Sequence, residues 1–347
     1  MKHVFIINSH TTFLSSMGVI AYLGLNDDDV ILIYIRNYKN TITQIPYKTI
    51  DATKLALSYI DITSNYDTII RTTDSFINQE IGTRYNLYVP HFMHYFFQVL
   101  YTHPFCRRVS YVQESGPAYR NLYETQVSLL ERFRMFLWLA VRRKRTFECK
   151  WYKRGIIFKQ RKLDSFAINN TYFKHLPSEN HIVEWPTQKV DIALVKNNPI
   201  FIFDGYVTNG IVEKDVYLSL CHEIVSEQAS SHNYVKFHPA QTDEERKTIL
   251  RYFSEIGCIA EIMSDEIPME FIIIQFRKMK YIGFTSSLLY YARDYGHEVI
   301  SYETKLLSSS KRFSEYVRES GFQTYSETYI TLKKQRQWCM ISRFIIN

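Results

Sequence analysis

The 347-residue sequence predicts a two-domain α/β protein built on mainly parallel sheets. Three observations carry this expectation. The chain exceeds what one hydrophobic core usually organises, roughly 150 residues per domain being ordinary. Short apolar runs alternate with helical patterns, the mark of β-α units. After a polar stretch from Leu176 to Asn198 the alternation starts again at Ile200-Phe-Ile-Phe-Asp-Gly. That stretch reads as a linker between two Rossmann-like domains, residues 1–180 and 181–347.

The first half is expected to hold strands at 3–8, 30–36, 66–72 and 107–114, with helices between them. The second continues with strands at 234–237, 258–263, 280–284 and 298–302. The opening run Val4 to Ile7 is too short for a signal-peptide core and reads as a buried first strand. No window approaches the roughly 20 apolar residues of a membrane helix.

Composition narrows the function classes. Hydrophobic content of 46% with 22% charged residues excludes a disordered or fibrous chain. The cysteines, Cys106, Cys149, Cys221, Cys258 and Cys339, form no C-x-x-C pair, which argues against a zinc ribbon or disulfide framework. Reduced thiols in a cytoplasmic protein are the expectation. The net charge of +7 is concentrated between Arg142 and Lys162, after a helical pattern from Tyr123 to Arg145 that includes Met135 to Val141. Such a block suits a core helix with a solvated basic end, or docking on the anionic cytoplasmic face of an inner membrane. Nucleic acid is not expected, because no binding module accompanies the charge.

Ligands of open α/β sheets bind at the carboxyl ends of strands, near helix N-termini. Four junctions of that kind stand out. In Ser110-Tyr-Val-Gln-Glu114-Ser115-Gly116-Pro117 a strand delivers Glu114 to the sheet edge, either as a general base or as a helix cap. In Lys236-Phe237-His238-Pro239 a strand tip presents His238, followed by the capping box Thr242 to Glu245. His103-Pro104 lacks that setting and reads as a loop. In Gly283-Phe284-Thr285-Ser286-Ser287 three hydroxyls open a helix, as a phosphate cradle or as plain capping. In Pro268-Met269-Glu270 an acid occupies a first helical turn, where the helix dipole favours it. Asn8-Ser9-His10, after the first strand, would face the same cleft and contact a sugar. The acidic run Asn26 to Asp29 reads as a polar turn rather than a metal motif.

Taken in this order, Glu114-Ser115-Gly116, His238-Pro239, Pro268-Met269-Glu270 and Ser286-Ser287 resemble the motifs of bacterial sialyltransferases of the GT-B type. These include the lipooligosaccharide, O-antigen and capsule polysialyl enzymes, with their acid-acid-Gly, His-Pro and Ser-Ser/Thr motifs. The resemblance implies two Rossmann-like domains around a central cleft. The N-terminal one binds the acceptor and the C-terminal one the CMP donor. It also implies metal-independent, inverting transfer of sialic acid from CMP-sialic acid to a terminal galactose of a surface glycan, with an α2,3 linkage preferred. No cofactor is expected. Carried over, Glu114 is the base and His238, Ser286 and Ser287 hold the CMP phosphate. Lys236, Pro239 and Thr285 line the donor site, Glu270 reads the ribose, and Asn8, Ser9, His10 and Gly116 face the sugar. Ser115 departs from the family pattern, which usually has a second acid there. The alternatives are another GT-B transferase using CMP-Kdo or a UDP-sugar and, from a different class, a non-catalytic polyanion- or RNA-binding protein.

Overall fold

The computed structural model describes residues 1–39, 45–59, 62–92, 94–115, 163–173, 178–187 and 189–320, with single positions at 130, 133, 134 and 137. The chain divides into two compact units, Met1–Pro186 and Thr187–Asn347.

Seven strands form the sheet of the first unit. They are β1 (Lys2–Ile7), β2 (Val30–Tyr34), β3 (Lys48–Asp51), β4 (Tyr85–Val89), β5 (Cys106–Val112), β6 (Leu163–Ala167) and β7 (Ser178–Ile182). Their order is β3-β2-β1-β4-β5-β6-β7, and each pairing is parallel. The four C-terminal residues of β1 and the first four of β2 are buried, as expected for a parallel sheet covered on both faces. Helices α1 (His10–Leu23), α2 (Thr53–Ser58), α3 (Ile62–Glu80) and α4 (Tyr95–Thr102) connect them. Helix α1 starts at a capping box between Ser9 and Thr12 and stops at Gly24, whose φ of 60° is the left-handed cap geometry that glycine adopts without strain. Phe92, Phe96, Tyr101 and Tyr111 fill the core on one face.

The strand expected at 66–72 is a correction: those residues lie inside α3. Ile69, Ile70, Ile77 and Ile81 are all buried, at the spacing of a helix face rather than of a strand. The sheet position goes instead to β4, whose apolar and polar residues mix within only five positions. Strand β7 lies within the polar stretch read as linker, and after it Trp185 is buried, its indole donating to Ser15 at 2.9 Å. The acidic run is a 3₁₀ turn at Asp27–Asp29, with Lys2 3.9 Å from Asp29.

The second unit has five parallel strands, β8 (Ile200–Phe203), β9 (His232–Phe237), β10 (Ile259–Ile262), β11 (Lys280–Gly283) and β12 (Glu298–Ser301), in the order β10-β9-β8-β11-β12. Helices α5 (Lys214–Gln228), α6 (Asp243–Glu255), α7 (Met269–Gln275), α8 (Ser287–Asp294), α9 (Glu303–Ser309) and α10 (Lys311–Ser320) follow the strands. The core packs Tyr217, Phe253 and Phe284 around β8 and its Phe201 and Phe203. Gly283 lets β11 approach β8, since a Cβ there would lie 2.6 Å from the Ile202 carbonyl. In both sheets the strand order reverses beside the first strand, between β1 and β4 and between β8 and β11.

The basic block Arg142 to Lys162 lies outside the described residues, as does the preceding helical pattern apart from the four single helical positions. Among the described residues no helix is long and apolar enough to cross a membrane. Cys106 and Cys221 are buried and Cys258 is partly buried, none of them in a disulfide among the described residues, while Cys149 and Cys339 lie outside those residues.

Candidate functional site

In the first unit the carboxyl ends of β1, β2, β4 and β5 converge on one side chain, Glu114. The Asn8 amide, just after β1, donates to its Oε1 at 2.5 Å. His91, after β4, places Nε2 3.4 Å from Oε2. Arg36, after β2, stands 3.7 Å from Oε1 with its own side chain 69% exposed. Arg36 and Asn37 both adopt left-handed backbone geometry, φ 59° and 54°, which is uncommon for non-glycine residues and carries local strain. Burial is the main influence holding the His91 imidazole below its ordinary range, with Glu114 opposing it and Arg36 reinforcing it. His94 is pushed down to about 4 by burial, then by His91 and Arg36. Glu114 is thus met by an amide, a ring nitrogen and a more distant guanidinium.

The neighbouring expectations divide. Ser9 caps α1, its Oγ accepting the Thr12 amide at 3.2 Å, and it reaches the Glu114 carbonyl at 3.5 Å. His10 turns to the Tyr38 hydroxyl, 3.2 Å from Nδ1. The Ser115 amide donates to Tyr172 at 3.2 Å. Gly116 and Pro117 lie outside the described residues.

In the second unit His238 leaves β9 with its ring at the surface. Its Nδ1 accepts the Ala240 amide at 3.1 Å, so the neutral ring carries its proton on Nε2. Burial of part of the ring, then Arg246, holds it below its ordinary pKa. Gly205 makes this placement feasible, because a Cβ there would come within 2.7 Å of Nδ1. The capping box behind His238 is complete: Thr242 accepts the Glu245 amide, and the Thr242 amide donates to Glu245 at 2.8 Å.

Ser286 is the N-cap of α8 and makes no side-chain cap bond, and both Ser286 and Ser287 are half-buried. Thr285 is buried, and its hydroxyl bonds the Tyr206 hydroxyl. Lys236 is committed elsewhere, donating to the Ser264 carbonyl and to Asp265, each at 2.8 Å. Pro239 is exposed beside His238, and Glu270 is partly buried in the first turn of α7.

Arg36, His91 and Asp204 did not stand out from the sequence. Asp204 closes β8 and is visible in the run Ile200-Phe-Ile-Phe-Asp204-Gly205. His91 could be found only once β4 was recognised as a strand. Asp164, Glu179 and His181 on β6 and β7 bring three ligand atoms within 4.8 Å of one another, but Arg108 already pairs with Asp164 at 2.7 Å and supplies positive charge there.

The sequence matches no protein-family model and no curated protein. Solved structures resemble the chain. The S. aureus MnaA-UDP co-structure is similar with a TM-score of 0.50 and 10% identity, over 92% of this chain and 82% of that one. Spinosyn rhamnosyltransferase SpnG complexed with thymidine diphosphate gives 0.49 and 10% identity over the full length of both chains. The likeness to MnaA extends over two units, each an α/β sheet of parallel strands. Two α/β units with parallel sheets are what the sequence predicts.

Proposed function

We propose that the protein is a sialyltransferase that uses CMP-sialic acid and inverts the anomeric centre. The acceptor is a terminal galactose of a surface glycan, lipid-linked or free, with an α2,3 linkage preferred. The observation that carries the reading is His238: a surface imidazole at a strand tip, its Nδ1 occupied so that Nε2–H points away from the backbone bond. Such a donor suits a departing phosphate.

In this reading Glu114 accepts the proton of the acceptor hydroxyl as its oxygen bonds the anomeric carbon. The bond from that carbon to the phosphate oxygen breaks, and CMP leaves. His238, with the Ser286 and Ser287 hydroxyls at the start of α8, receives the charge that develops on the phosphate. Glu270 is assigned to the ribose diol, and Lys236, Pro239 and Thr285 to the walls of the donor site. Asn8 holds Glu114, and Ser9, His10 and Gly116 are assigned to the sugar side. The mechanism invokes no metal or cofactor.

Thermal unfolding with CMP, UDP and GMP tests the donor assignment, since a ligand that binds only the folded state raises the midpoint. A CMP-specific rise that His238→Ala weakens supports the reading. A UDP-specific rise would point to a UDP-sugar transferase, a control made pertinent by the UDP bound to MnaA. A response to none of the three would remove the donor assignment.

A further inference from the structure

Asp204 is a buried acid that the transfer chemistry leaves unused. It follows β8, and with Thr285 after β11 it flanks the point where the strand order of the second sheet reverses. Ligands of open α/β sheets bind outside the carboxyl ends at that point. The residue is 7% exposed, and its Oδ2 accepts no hydrogen bond among the described residues. A buried carboxyl left partly unsatisfied lowers stability, so its presence at a ligand-binding position calls for a role.

The groups around it are specific. The Thr285 amide and the Tyr206 hydroxyl lie against the carboxyl. The Tyr206 hydroxyl also bonds the Thr285 hydroxyl, linking Asp204 to the turn that opens α8. From α5, Tyr217 bonds the Asp204 backbone at 2.8 Å, and the Cys221 thiol feels its charge. Glu303, Tyr290 and Tyr316 act on Tyr206 from α9, α8 and α10. His238 lies against the adjacent Gly205, and Arg246 in turn acts on His238. The tyrosines, the thiol and a histidine held below its ordinary range bring no cation to the carboxyl near neutral pH. Burial therefore pushes Asp204 up to about 7, against the Thr285 and Tyr206 contacts.

We infer that Asp204 is a positioning residue that couples proton uptake to anion binding at the Thr285-Ser286-Ser287 turn. The neutral acid holds the turn and tolerates a phosphate beside it. The carboxylate, lying behind the same turn, repels one. This inference rests on the donor reading above, and it adds the condition under which the donor binds.

Calorimetric titration of the full-length protein with CMP, between about pH 7 and 9 in two buffers of different protonation enthalpy, measures the coupling. In that window the His238 ring is already neutral and a phosphate monoester has lost its second proton. The wild type is expected to take up a proton on binding, with affinity falling by up to about tenfold per pH unit. Asp204→Asn, permanently neutral, is expected to bind CMP with little pH dependence. Wild-type binding that is pH-independent, or an Asn variant that keeps the wild-type slope, would overturn the coupling and leave the donor reading intact. Absence of CMP binding at every pH would remove both. If the Asn variant fails to fold, the wild-type proton count decides alone.

Discussion

Asn8 donates its side-chain amide to Glu114 at 2.5 Å, joining residues 106 positions apart at the carboxyl ends of β1 and β5, the two strands that flank β4. A carboxylate accepts hydrogen bonds and cannot donate them, so this bond fixes which way Oε1 faces and leaves Oε2 toward His91. Positioning of this kind is what a general base needs before its basicity matters.

Removing the proposed base should slow transfer strongly without unfolding the protein. Glu114→Gln is expected to reduce turnover by about 10²- to 10⁴-fold while circular dichroism and CMP binding stay at wild-type levels. Asn8→Ala, which removes only the orienting bond, should cost roughly ten- to hundredfold. Equal activity in Glu114→Gln and wild type would exclude Glu114 as the base.

Gly205 offers a probe of His238 that leaves the imidazole in place. A Cβ at this position would sit 2.7 Å from Nδ1, so Gly205→Ala must push the ring out of its present position. The substitution is expected to weaken CMP binding about as much as His238→Ala, roughly tenfold for one lost charge-assisted hydrogen bond. Unchanged affinity in both variants would place the phosphate elsewhere.

The stability of the fold should depend on Asp204 with a definite sign. The folded carboxyl titrates at about 7 and the unfolded one at 3.8, so the unfolded state releases the proton more readily. The penalty is absent below the unfolded value, grows as pH rises between the two, and levels off above the folded one. Asp204→Asn should therefore stabilise the protein more at pH 8 than at pH 5, by a difference on the order of 2 kcal/mol in denaturant unfolding. A difference that does not change with pH would contradict this.

Metal removal is expected to leave transfer unaffected. Dialysis against EDTA followed by an activity assay checks this, and loss of activity restored by a divalent cation would require a ligand set that the proposed mechanism does not use. The Asp164, Glu179 and His181 group would be the first place to look.

The sequence by itself determined the fold class and most of the second unit. Buried runs such as Ile200–Phe203 and Lys280–Gly283 announce parallel strands, and Thr242 with Glu245 announces the start of α6. It also located Glu114, His238 and the serine turn just beyond strand ends, because a polar residue soon after an apolar run marks a strand's carboxyl end. Residues 66–72 misled because a short apolar run fits either period, and only the burial of Ile77 and Ile81 beyond it reveals the helix. Tertiary structure alone decided what surrounds each acid. Arg36 and His91 reach Glu114 from loops 78 and 23 positions away, which is the arithmetic of strand order (114 − 36 and 114 − 91) and not of local pattern. The burial that raises Asp204 comes from α5 and the β11 turn closing over it, and no property of the Asp-Gly dipeptide predicts it. Local sequence specifies periodicity and turns, whereas desolvation and convergence at a sheet edge exist only once distant segments are packed together.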